Sequence, residues 1–237
     1  MNENDILFYE NDFNHAKSAF DDFGLILTGQ YVSFPEPKTT IAEIPFSDHA
    51  ITLGMADDVY YKQRKLRLNF ELPGSMAETH LRASELANYL HGKNMRVVDT
   101  NDITYYYFGR LVVDRTKTGD APVQIKITGV MDPYKYEINS SVQDWQWDIF
   151  CFDDGILREY RDLQVQDRLK LVIPGRRKRV VPIITASAPM SVTFSGRTYP
   201  LLAGENKLYE IMLGEGEHEL IFTGKGNVSV DYRGGSL

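Results

Sequence analysis

The chain has 237 residues, of which 43% are hydrophobic and 25% charged, enough apolar mass for a core and the wrong balance for an intrinsically disordered protein. A formal charge of −7 and a sequence pI near 5.3 argue against a broad footprint for specific nucleic-acid binding, which needs clustered Lys and Arg. Cys151 is the single cysteine, which excludes an intrachain disulfide and a thiolate metal cage.

The opening stretch Met1 to Glu10 carries Glu3, Asp5 and Glu10 where a signal peptide needs a basic and then an apolar run. No window approaches the ~18 apolar residues of a membrane span. The expectation is a soluble protein made in the cytoplasm. The 14 Tyr and 12 Phe favour strands, whose pleated, half-buried surfaces suit them. The first strand is expected at Gly24 to Val32, after which Phe34-Pro35-Glu36-Pro37 breaks regular structure, because proline donates no backbone hydrogen bond. In Lys65 to Leu72, Leu66, Leu68, Phe70 and Leu72 alternate with polar residues, which predicts a strand with one apolar face. A single long helix is predicted over 76–91, with Ser75 and Glu78 forming a capping box and Gly92 the stop. Met76, Ala83, Leu86, Ala87 and Leu90 form its apolar stripe.

Further strands are predicted at Met95 to Val98, Ile103 to Val113 and Val123 to Val130, with a turn at Thr118-Gly119-Asp120. Beyond Tyr134 short strands recur with regular turn signals: Leu169 to Ile173, Val180 to Ala186, Met190 to Phe194, Thr198 to Leu202 after a Ser195-Gly196 turn, Leu208 to Leu213, His218 to Phe222 and Val228 to Tyr232. The fold class is therefore mainly β with one α-helix. The helix-bearing part and the all-β part divide near Tyr136, giving domains 1–136 and 137–237.

The chemistry-bearing residues point away from catalysis. His15, His49, His80, His91 and His218 form no metal motif. The acidic pairs Asp21-Asp22, Asp57-Asp58 and Asp153-Asp154 lack calcium-loop spacing and read as turn residues. Arg176-Arg177-Lys178-Arg179 is the concentrated basic segment, and without interleaved aromatics it reads as a solvated turn rather than a phosphate site. Trp145 and Trp147 alternate along one strand and share a face, as core packing or as a stacking platform for sugars. Cys151, between Phe150 and Phe152, reads as a buried thiol. The sequence carries no nucleophile elbow, P-loop or dinucleotide glycine pattern, and it calls for no cofactor, metal or catalytic residue.

Tyr105-Tyr106-Tyr107-Phe108-Gly109-Arg110-Leu111, followed by Val123-Gln124-Ile125-Lys126-Ile127 and Asp132-Pro133-Tyr134-Lys135-Tyr136, resembles the end of the N-terminal domain of distal tail proteins from long-tailed siphophages. Val228 to Leu237 is similar to that family's C-terminal strand and tail, and Phe20 to Ile26 is a weaker match. In Pro45-Phe46-Ser47-Asp48-His49 only the proline and aspartate of the family's Pro-Gly-Arg-Asp-Gly-like turn remain. The resemblance implies a non-enzymatic structural protein. Its N-terminal domain forms a homo-hexameric ring between the tail tube protein and the tail-tip hub protein, with DNA passing through the ring. Its C-terminal domain is a galectin-like β-sandwich that docks receptor-binding or baseplate proteins. Localisation is then the virion tail tip, after assembly in the host cytoplasm. The competing readings are a carbohydrate-binding module of a host-adhesion device using Trp145 and Trp147, a cell-wall hydrolase, and a tail-tube subunit.

Overall fold

The computed structural model describes residues 4–11, 13, 15–46, 48–53, 59–142 and 160–237. The chain divides into two compact units, the first comprising residues 1–102 and 107–134 and the second residues 103–106 and 135–236.

The first unit runs β1 (Ile6–Tyr9), β2 (Lys17–Ser18), β3 (Ile26–Val32), β4 (Thr40–Glu43), β5 (Ala50–Leu53), β6 (Arg64–Leu72), α1 (Met76–Leu90), β7 (Asn94–Asp99), the part of β8 (Tyr105–Thr116) from Tyr107 onward, and β9 (Val123–Met131). Seven strands ladder in the order β2-β1-β7-β8-β9-β6-β3, with antiparallel neighbours throughout. The alternation along β6 puts Leu66, Leu68, Phe70 and Leu72 inside, and β9 answers with Val123, Ile125 and Ile127. Ala83, Leu86 and Leu90 of α1 join the same core. Gln30 Nε2 donates to Asp99 Oδ2 at 2.7 Å, joining β3 to β7 as the sheet curls. Gly109 is required by close approach, since a Cβ there would lie 2.3 Å from the Val130 carbonyl oxygen.

The capping box forms as the sequence predicts. Ser75 Oγ accepts from Glu78 N, and Glu78 Oε2 accepts from Ser75 N at 2.9 Å. The stripe differs at its first position. Met76 is exposed, and Thr79 is buried in its stead, its hydroxyl donating to the Met76 carbonyl at 3.0 Å.

The second unit contains Tyr105 and Tyr106, β10 (Lys135–Glu137), β11 (Leu163–Gly175), β12 (Ile183–Ala186), β13 (Met190–Phe194), β14 (Arg197–Leu201), β15 (Gly204–Lys207), β16 (Gly216–Asp231) and β17 (Gly235–Ser236). Strand β16 organises it. Its first half ladders with β13, its second half with β12, and β11 follows its opposite edge through thirteen residue pairs. The sequence predicts two strands here, His218 to Phe222 and Val228 to Tyr232, because Gly224-Lys225-Gly226 reads as a turn. Instead the glycines bend one continuous strand. Gly224 has φ +146°, and a Cβ there would meet the Met190 Cβ at 2.7 Å, so only glycine lets β16 change partners at this point.

Two further expectations fail. Strand β1 precedes the expected first strand, and its short Ile-Leu-Phe run becomes a strand only through its long-range ladder with β7. Leu208 to Leu213 is not a strand apart from a bridge at Leu213, although Ile211 and Leu213 are buried in the core. Leu169 to Ile173 is a strand as expected, within the longer β11.

Candidate assembly surfaces

Among the described residues no catalytic constellation stands out, so the surfaces of each unit carry the functional question. Among the described residues no group of three His, Cys, Asp or Glu is placed to hold a metal. Asp21 and Asp22 serve a turn, the Ser18 amide donating to Asp22 Oδ2 and the Asp21 amide to Ser18 Oγ, both at 2.7 Å. His218 Nε2 lies 2.9 Å from the Gly214 carbonyl, and His91 Nδ1 lies 3.2 Å from the Val113 amide. Trp145, Trp147, Cys151, Asp57-Asp58 and Asp153-Asp154 lie outside the described residues.

The first surface is a two-stranded ribbon between β3 and β6. Beyond the β3–β6 ladder the two chains stay paired: Ser33 N donates to Lys65 O, Lys62 N to Glu36 O at 2.8 Å and Lys38 N to Tyr60 O at 2.7 Å, after which β4 and β5 pair antiparallel. Along this ribbon Phe34, Ile41, Ile44, Phe46, Val59 and Tyr60 are all exposed. Isolated hairpins of this kind are marginal in water, and a run of exposed apolar side chains marks an interaction surface. Phe46 adds a second signal, since its φ of +63° is a left-handed conformation that bulky residues rarely adopt, and its ring is fully exposed.

The second surface is the outer face of the curled sheet. Strand alternation brings out Arg110, Val130 and Lys65 as one cross-strand row, Val112, Thr128, Arg67 and Tyr31 as the next, and Asp114, Lys126 and Asn69 as the third. Lys65, Arg67, Arg110 and Lys126 are exposed, and among the described residues their side chains make no ion pair or hydrogen bond. In an acidic chain this clustering is unexpected from composition. It was invisible in sequence because the four residues come from three strands.

Beside this face Arg64 is withdrawn. It is 2% exposed, its Nε donates to the Pro133 carbonyl at 2.9 Å, and its guanidinium sits 5.3 Å from the Tyr107 ring centre. Burial lowers the Arg64 pKa, opposed by its charge and hydrogen-bond tie to Tyr107. Burial likewise pushes the Tyr107 hydroxyl up, opposed by the Arg64 cation.

In the second unit the basic run is a bend after β11, with Arg177 and Arg179 exposed as expected of a solvated turn, but it also makes specific contacts. Arg176 Nε donates to Glu137 Oε1 at 3.0 Å, Arg177 pairs with Glu215 at 2.6 Å, and Lys178 Nζ lies 4.3 Å from the Tyr136 ring centre. The Lys178 amide also donates to the Gly235 carbonyl at 3.0 Å. Arg176 and Lys178 thus tie the run to partners far away in sequence, while the exposed Arg177–Glu215 pair adds little. Leu202 and Tyr209 are its most exposed large apolar residues.

No protein-family profile and no curated protein sequence matches the chain. Among solved structures it is similar to the SPP1 Dit (gp 19.1) protein, described as a paradigm of the hub adsorption apparatus in Gram-positive infecting phages: TM-score 0.59, 11% identity, 96% of this chain and 98% of that one. A chain from the tail of an empty GTA particle with C6 symmetry aligns with 57% of this chain and 95% of that one, at TM-score 0.35 and 12% identity. The described residues are mainly β with one α-helix, and the chain has the fold of the SPP1 Dit protein.

Proposed function

We propose that this protein is a non-enzymatic structural component of a phage tail, forming a hexameric ring at the distal end of the tail tube. The ring links tail tube protein to tail-tip hub protein, lets DNA pass, and docks receptor-binding or baseplate proteins. The first unit is the ring-forming domain. The second unit is a galectin-like sandwich that presents the docking surface. The protein assembles in the host cytoplasm and resides at the virion tail tip.

The observation that carries this reading is the likeness to the SPP1 Dit fold over 96% of the chain. The exposed apolar ribbon supports it, because closed cyclic assemblies need two different patches per subunit and the ribbon supplies one. Light scattering across a concentration range, with negative-stain images of the same sample, tests the proposal. Six-fold rings are the expected result. A strict monomer that also fails to appear in purified tails would overturn it.

A further inference from the structure

The outer face of the first unit's sheet gathers exposed cations that no described carboxylate neutralises, and the exposure of Val112, Val130 and Tyr31 among them shows that no described element covers it. We propose that this face holds the phosphate backbone of duplex DNA without regard to sequence and forms the wall that the duplex touches in the channel, an inference that rests on the ring reading above.

Spacing is the first argument. Lys65 and Arg67 stand two residues apart on β6, about 7 Å at the ordinary strand rise. Arg67 pairs with Thr128, so Lys126 is its diagonal neighbour on β9, and Arg110 lies across β9 from Lys65, roughly 10 Å away. Duplex DNA carries one charge per about 1.7 Å of axis, so a length equal to the Lys65–Arg67 step presents roughly four phosphates. Each cation therefore finds a phosphate without a fixed register. Val112, Thr128 and Val130 between them are short, and the long Lys and Arg side chains reach past them.

The chain's net charge of −7 does not oppose this at contact range. At about 0.1 M salt, charges more than roughly 10 Å apart are largely screened, so a phosphate on the face responds to the face. Strand alternation also places two carboxylates there. Asp114 stands opposite Lys126, and Glu71 accepts from Gln124 Nε2 at 3.1 Å. Lys65, Arg67, Arg110 and Lys126 outweigh them.

The mode of contact follows from the shape. A sheet face offers no helix or ribbon to enter a groove, so it meets the backbone and reads no bases. A few phosphate contacts per copy bind weakly, while a ring repeats the face around the duplex, so DNA is held near the wall yet stays free to slide. An acidic protein segment is the rival occupant. Protein interfaces centre on an apolar core depleted of charge, whereas here Val130 stands between Arg110 and Lys65, and Arg67 stands beside Tyr31.

Fluorescence anisotropy of the full-length protein with a short labelled duplex, in two unrelated sequences and from about 0.1 M salt upward, tests the inference. Both sequences should bind equally, with log K falling against log salt at a slope of about −3 or steeper. Arg67→Gln with Lys126→Gln should weaken binding roughly tenfold or more and flatten the slope by about 2. Asp114→Asn should tighten binding, a gain that no misfolded protein gives. Arg197→Gln with Lys225→Gln, which removes exposed cations of the second unit, should change nothing. A benzophenone at position 112 should crosslink to the duplex. Wild-type rings that bind no duplex, or an equal loss in the second-unit variant, would sink the inference and leave the ring reading intact. Crosslinks that go to protein with duplex present, or tighter binding of polyglutamate than of duplex, would give the face to an acidic protein partner and overturn it too. A wild-type protein that never forms rings removes the channel wall and the ring reading together.

Discussion

Glu137 holds Arg176 at 3.0 Å through Oε1 while its other oxygen accepts the Gly234 amide at 3.0 Å, so one carboxylate ties β10 to the basic run and to the residue just before β17. The two side chains keep only 11% and 22% of their surface in water. Truncating one partner strands the other's charge in a poorly solvated place. Glu137→Ala should cost about 2–4 kcal/mol in chemical denaturation followed by near-UV circular dichroism. A double-mutant cycle with Arg176→Met should recover part of this, and strictly additive losses would refute the coupling.

Gly224→Ala should be more damaging than an ordinary surface substitution. Its φ of +146° strains any side chain, and the new methyl would enter the space of Met190. A loss of about 2 kcal/mol or more is expected from strain and overpacking together. A melting temperature within a degree or two of wild type would show that β16 does not need its bend.

The capping box has a titration signature. Glu78 is held below the usual carboxylate range, chiefly by the hydrogen bond from the Ser75 backbone and then by that from its side chain. A lowered folded-state pKa means that the stabilisation is present above the ordinary value and is lost as pH falls through the folded one. In Ser75→Ala the Glu78 pKa, read by NMR, should rise toward its ordinary value. The same substitution should cost about 1 kcal/mol at neutral pH and less in acid.

Arg64 gives a test of geometry over charge. Its fork reaches the Pro133 carbonyl while its plane lies over the Tyr107 ring, which an ammonium on a flexible stem cannot reproduce. Arg64→Lys should therefore destabilise the first unit by about 1–3 kcal/mol in urea unfolding, despite conserving charge. Wild-type stability in this variant would mean that the cation alone suffices.

Much of the first unit is legible in sequence, because β6, β9 and α1 follow strict periods of two and three to four residues and the cap is local. Strand β1 is not, since three apolar residues carry no period of their own and depend on β7. The glycines of β16 mislead for a physical reason: a bend inside a strand and a turn between strands need the same residue. Neither assembly surface can be read from a linear pattern. The cationic face is assembled from β6, β8 and β9, and the role of Arg176 depends on Glu137, 39 positions away. Trp145 and Trp147 stand out in sequence but lie outside the described residues.

The second unit draws on segments far apart in the chain: Tyr105 and Tyr106 pair with β10, and β10 pairs in turn with Gly235 and Ser236. A chain leaving the ribosome therefore cannot finish this unit until residue 236 has cleared the exit tunnel. The edge of β10 that Gly235 and Ser236 cover waits through the synthesis of about a hundred further residues, which takes roughly 5–20 s at an elongation rate of about 5–20 residues per second. Over that interval the nascent protein carries an open strand edge, a period in which premature pairing with another nascent copy competes with correct closure.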